Sequence, residues 1–137
     1  MFKMEKIFIG QAVTGQDIKS LQKEMEKIYD VLSQAGYKPY STLEEEENEN
    51  SFEKAGDWIN HAFKVIDEHD IFLAIVRTEH RSEGMLMEIG YVLSKKKKLV
   101  LAVKKDVKNT YIGDLADEVI EWDNFEDLVK KLEELKN

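Results

Sequence analysis

Cysteine is absent from this chain, which excludes disulfides and thiol chemistry. Histidine is scarce: His61, His69 and His80 are the only three, and their spacing is not that of a metal site. Positive charge is in the minority, with 20 Lys and Arg against 28 Asp and Glu and a formal net charge of −8. So acidic a chain is not expected to hold nucleic acid by its phosphates. Long apolar runs are also missing. None approaches the ~20 residues of a membrane span, and no signal-peptide pattern precedes the first strand-like run. The expectation is a cytoplasmic protein with neither a membrane nor a nucleic-acid partner. Proline occurs once, as Pro39, and places the segment around it at a sheet edge.

What remains is enough for a core. Hydrophobic residues make up 42% of 137 residues, which is one domain by length, spanning 1–137. Lys6–Ile9 is a short apolar run and reads as a first strand, followed by a loop from Gly10 to Gly15. Asp17 is placed to cap a helix whose apolar positions, Ile18, Leu21, Met25, Ile28 and Leu32, recur at steps of three or four and end near Gly36. Tyr37–Ser41 is a second strand, and Glu44–Asn50 a solvated acidic loop. Trp58, Ile59, Ala62, Phe63 and Ile66 form the face of a second helix. The continuous apolar run Asp70–Val76 suits a central strand buried on both faces. Leu99–Val103 and Glu118–Trp122 complete five strands, with a loop and short helix predicted between them. Asp123 caps a last helix that turns Phe125, Leu128, Val129, Leu132 and Leu135 inward.

Strands alternating with helices predict an α/β three-layer sandwich of flavodoxin-like or Rossmann-like type, with a five-stranded parallel sheet in the order 2-1-3-4-5. In that order a crevice opens between strands 1 and 3, at the carboxyl ends of the strands. Its borders are the loops Gly10–Gly15 and Arg77–Gly84.

Ser82–Leu93 joins the third strand to the fourth. Met85, Ile89, Val92 and Leu93 share one helical face. Glu88 lies about one turn into this helix, where the helix dipole is expected to hold its carboxylate ionised beside the crevice. By spacing alone, Glu88 reads more readily as one more exposed helix acid. Thr14 and Gly15 offer backbone amides for an anion, although the Gly-Lys-Ser/Thr ending of a Walker loop is missing. Arg77, Arg81 and Ser82 beside a helix start suit a phosphate, and Gly84 lets the backbone turn into the helix. The Lys95–Lys98 tract reads as a solvated helix end. A phosphorelay receiver is excluded, because Gly10-Gln11-Ala12 supplies no acid after strand 1. Only Thr14 and Gly15 would suit a flavodoxin. No cofactor is expected.

The pattern Ser82-x-Gly84-x-x-x-Glu88-x-Gly90-Tyr91 between two apolar strands resembles the nucleoside 2-deoxyribosyltransferase superfamily, which includes the 2′-deoxynucleoside 5′-monophosphate N-glycosidases. Ile7–Gly15 resembles that superfamily's first strand and substrate loop, so the resemblance gives Gly10, Thr14 and Gly15 a substrate-binding role. It implies that Glu88 is a nucleophile attacking the anomeric carbon of the sugar. A carboxylate suits that task, since its charge balances an oxocarbenium-like transition state. It also implies that Ser82, with Gly84 beside it, holds a 5′-phosphate. Transferases of the superfamily carry an Asp at the position of Ser82, and an Asp would repel that phosphate. The expected ligand is therefore a nucleoside 5′-monophosphate or a nucleoside, with Arg77 or Arg81 as helpers. Two positions depart from the pattern. Ala62 stands where a catalytic Asp is usual, and Phe8 where a Tyr is frequent. His61 and Asp57 are the substitutes at hand for proton transfer to the leaving base. Sites of the superfamily are completed by a neighbouring subunit, which implies a homodimer or higher homo-oligomer, with Thr110 reaching a phosphate across the interface. Cleavage or transfer of an N-glycosidic bond is the function implied. The alternatives are a nucleotide-binding or sensing module without catalysis, and an interaction protein of the same fold.

Overall fold

The structure, a computed structural model, describes residues 4–11, 16–41, 54–80, 82–108 and 110–135. The acidic stretch Glu44–Asn50 lies outside them. The order of elements is β1 (Glu5–Gln11), α1 (Ile18–Gln34), β2 (Tyr37–Ser41), α2 (Ala55–Asp67), β3 (Ile71–Val76), α3 (Glu83–Ser94), β4 (Lys98–Lys104), α4 (Ile112–Leu115), β5 (Glu118–Trp122) and α5 (Phe125–Glu133). The strands form one all-parallel sheet in the order β2-β1-β3-β4-β5, as the alternation of elements predicts. Pro39 lies on β2, an edge strand, where a missing backbone donor costs least.

Alternate residues of the strands feed two cores. Ile7, Ile9, Ile71, Leu73, Ile75, Val100, Ala102, Ile120 and Trp122 face α1 and α5. Phe8, Phe72, Ala74, Leu99, Leu101 and Val103 face α2, α3 and α4. Because β3 feeds both cores, its sequence is apolar without interruption. On α1 the buried residues are Leu21, Met25, Ile28, Val31 and Leu32, a stripe at helical spacing. Asp17 caps that helix by accepting from the Lys19 amide at 3.3 Å. Gly36, at φ 98°, supplies the left-handed residue that ends it.

Three local readings change. β1 runs on through Gly10 and Gln11, which pair with Ala74 and Ile75, so the loop starts later than the loss of apolar residues suggests. Asn124, not Asp123, caps α5, with its Oδ1 accepting from the Asp127 amide at 2.9 Å. Asp127 answers by accepting from the Asp123 amide at 2.9 Å, a reciprocal arrangement that fixes the start one residue later. In the lysine tract, Lys97 is half-buried and its ammonium is engaged. Its Nζ donates to the carbonyls of Asp67 (3.2 Å) and His69 (2.6 Å), satisfying the end of α2.

Candidate active site

A cavity lies at the carboxyl end of β3, beside the start of α3, and Val107, Thr110 and Ile112 close it from the chain that follows β4. Gln16, Thr78, Ser82 and Thr110 give it polar walls, and Met85 and Leu86 belong to its apolar side. Ser82 is the N-cap of α3: its Oγ accepts from the Met85 amide at 3.3 Å. Among the described residues, that contact uses a lone pair and leaves the hydroxyl proton for a ligand. Thr110 lines the same cavity within a single chain, and its Oγ1 accepts from the Ile112 amide at 3.2 Å. Glu79 ties the two loops together by accepting from the Lys108 amide at 3.1 Å.

Glu88 belongs to a different face of the helix. At about 100° per residue it stands roughly 120° around α3 from Ser82, on a stripe with Gly84 and Tyr91. That stripe faces α2. A Cβ on Gly84 would meet Ile59 Cδ1 at 3.3 Å, and the Tyr91 ring stacks on Phe63 with centroids 4.4 Å apart. Glycine at 84 thus lets the two helices approach beside the carboxylate. The sequence reading had the helix dipole keep Glu88 ionised, but the environment does the opposite. Burial pushes its pKa up to about 7. Among the described residues, no cation or hydrogen-bond donor offsets that burial. The dipole's share, within about 1 kcal/mol for an ordinary helix acid, is outweighed.

The remaining expected residues divide. Gly10 is part of β1, and a Cβ there would sit 2.4 Å from Phe72 Cζ, so the aromatic ring itself requires a glycine. Thr14, Gly15 and Arg81 lie outside the described residues. Arg77 lines the cavity, but its guanidinium is already engaged on the α1 side of the sheet: Nη2 donates to Gln11 Oε1 at 2.8 Å and Nη1 pairs with Glu24 at 3.0 Å. Burial lowers its pKa and Glu24 opposes that shift. Ala62 is buried in α2, leaving no acid at that position. Asp57 is committed to its own helix start, accepting from the Lys54 amide at 3.2 Å. His61 is partly buried. Phe8 lies deep in the sheet, stacked on Phe72 at 5.3 Å, with Tyr40 and His69 rings beside it. His69 hydrogen-bonds the Val65 carbonyl through Nδ1 at 2.6 Å, and burial lowers its pKa. Among the described residues, no group of three or more His, Asp and Glu is arranged to hold a metal. None of their helices is long and apolar enough to cross a membrane.

The sequence reading missed Gln11 and Glu24 as partners of Arg77. They lie 66 and 53 positions away, and no local pattern links them.

Comparison with known proteins places this geometry in context. The sequence profile of a family described as nucleoside 2-deoxyribosyltransferase matches residues 10–130. No curated protein sequence matches the chain. Among solved structures, the CMP N-glycosidase BcmB of Clostridium botulinum is 19% identical, with a TM-score of 0.68 over 93% of this chain and 97% of that one. A conserved protein from Enterococcus faecalis V583 is 15% identical, with a TM-score of 0.70 over 96% and 99%. A 2-deoxyribosyltransferase from Bacillus psychrosaccharolyticus is 19% identical, with a TM-score of 0.58 over 93% and 95%. At these identities the likeness is one of fold.

Proposed function

The chain belongs to the nucleoside 2-deoxyribosyltransferase family, and from that premise we propose that it cleaves or transfers the N-glycosidic bond of a nucleoside 5′-monophosphate, with Glu88 as nucleophile. The observation that carries this reading is the placement of Glu88. A carboxylate whose pKa is raised by burial lies on the helical stripe that faces α2, six residues beyond a serine that caps the same helix and whose hydroxyl proton is unused among the described residues. Six residues rise about 9 Å along a helix, so the reading requires a ligand that reaches from its phosphate at Ser82, in the cavity, around the start of α3 to bring its sugar carbon to Glu88. Thr110, facing the same cavity, is a second hydroxyl for that phosphate. Thr14 and Gly15 retain their expected substrate-binding part, with their backbone amides offered to the phosphate.

In the first step an ionised Glu88 oxygen bonds to the anomeric carbon as the carbon–nitrogen bond breaks, and its electron pair leaves with the base. Water or a second base then attacks the same carbon and releases the carboxylate. Ionised Glu88 is the attacking form, so the pH at which it loses its proton sets the lower limb of activity. The 5′-phosphate recognition agrees with the name of the CMP N-glycosidase and with a serine at position 82.

Buried Ala62 favours a second reading, a module of the same fold that binds nucleotides without turning them over. Incubation with a panel of nucleoside monophosphates, with free base followed by chromatography, decides between the two. Release of base supports the enzyme. A thermal shift with no base released assigns the binding module instead.

A further inference from the structure

We propose that Arg77 is a positioning residue that clamps together the carboxyl ends of β1 and β3, and so sets the spacing of the two strand ends that border the crevice. The inference rests on the reading of that crevice as a nucleotide site. Arg77 follows the last residue of β3, and Gln11 is the last residue of β1. Their 2.8 Å hydrogen bond joins the two strands just beyond the paired residues Gln11 and Ile75. The guanidinium also pairs with Glu24 of α1 at 3.0 Å and lies 5.8 Å from the centroid of the Trp122 ring, at the end of β5. Gln11 is fixed in turn through Nε2, 3.1 Å from the sulfur of Met25. One planar cation therefore touches two strand ends and a helix, a geometry that a lysine's single ammonium does not reproduce.

The position matters because of what each strand end leads into. In the sequence, Thr14 and Gly15 follow Gln11 by three and four residues, and Ser82 follows Arg77 by five. Among the described residues Arg77 Nε is buried without a partner, so the buried charge is held by fewer contacts than it has donors. A residue retained merely for stability is better served by an apolar side chain. Both of its oxygen partners are side chains from the β1–α1 segment, so its contacts fix geometry across the crevice and leave the phosphate to Ser82.

The test uses the whole chain and two substitutions, Arg77→Met and Gln11→Leu. The second removes the clamp without touching charge. Amide exchange is read by mass spectrometry on peptides covering Gly10–Gln11 and Ile75–Arg77, with peptides from Asp70 and Lys98 as internal reference. The expected result is exchange roughly tenfold faster at the two carboxyl strand ends in both variants, no change at the reference peptides, and no further gain in the double variant. Binding is then measured with cytidine and cytidine 5′-monophosphate as probes. A positioning residue weakens both in equal proportion, and Arg77→Lys restores only part of the loss. Wild-type exchange in Gln11→Leu overturns the proposal. So does an Arg77→Met variant that loses affinity for the monophosphate alone, which identifies a direct phosphate ligand. If the wild type binds neither probe, the nucleotide reading fails, and the exchange comparison still decides the clamp. If Arg77→Met does not fold, Gln11→Leu alone decides it.

Discussion

The two ends of the sheet are built on opposite terms. At the amino ends of the strands, polar side chains complete the backbone. Asp70 accepts from the Lys6 amide at 2.9 Å, Asp117 accepts from the Leu99 amide at 2.8 Å, and Lys97 satisfies two carbonyls at the end of α2. At the carboxyl ends, among the described residues, Glu88 is half-buried with no charge to balance it, Arg77 Nε has no acceptor, and the Ser82 hydroxyl proton is unused. The amino end holds the fold together. The carboxyl end keeps donors and a carboxylate without partners among the described residues, which is what a ligand site requires.

The largest test of this contrast is Glu88→Gln. The amide matches the acid in size and helix propensity, so the fold should survive. Glycosidase turnover should fall about a thousandfold or more, because a nucleophile is removed outright. In the wild type, a slow 2-fluoro-substituted nucleotide should add a sugar-sized mass to the peptide bearing Glu88. Wild-type turnover in Glu88→Gln makes Glu88 an ordinary helix acid.

The same residue gives a signed stability prediction. Its folded pKa of about 7 lies above the 4.5 of an unburied carboxyl. The folded state therefore binds the proton more tightly, and the associated stability is present below pH 4.5 and lost as pH rises through 7. Relative to Glu88→Gln, the wild type should weaken across that window by about 3 kcal/mol at most. A difference between the two proteins that stays flat from pH 4 to 8 contradicts the burial argument.

At the other end, Asp117→Ala should remove about 1–3 kcal/mol of stability by leaving the Leu99 amide unpaired. The turnover of the remaining folded protein should not change. A loss of turnover without a loss of stability would erase the division between the ends.

Ser82→Asp probes the crevice while retaining a capping side chain. The helix should remain as stable as in the wild type, and the preference for a monophosphate over its nucleoside should fall by roughly tenfold or more. Retention of the full preference removes Ser82 from the phosphate site. The smallest expected effect is at Lys96, which occupies the left-handed region at φ 56° where α3 ends. Lys96→Gly should raise stability by roughly 1 kcal/mol, read as a higher unfolding midpoint, with turnover unaffected.

The fold was readable from the sequence because each strand carries its own period. β3 is apolar throughout and goes to the centre, whereas β2 contains Pro39 and goes to an edge. Ser82 and Glu88 were readable as helix positions for the same reason. The proton on Glu88 was not, because it depends on how closely α2 approaches through Gly84, a contact made across the tertiary structure. Gly10 looked like a loop residue because glycine is common in turns, and only the Phe72 ring above it reveals a packing requirement. Lys97 was hidden in a run of four lysines, since its neighbours in sequence say nothing of the carbonyls it reaches.

The link between Asp70 and Lys6 also bears on how the chain acquires its shape. Sixty-four positions separate the two residues. β1 is made first, yet its inner edge pairs with β3 and only its outer edge with β2. During synthesis β1 and β2 can associate early, but that pair presents an open edge until residue 76 has emerged. Closing so long a loop is slow compared with forming a local helix. Assembly of the sheet's centre must therefore wait for the middle of the chain, and the interval before it is when an exposed strand edge is most open to pairing with another molecule.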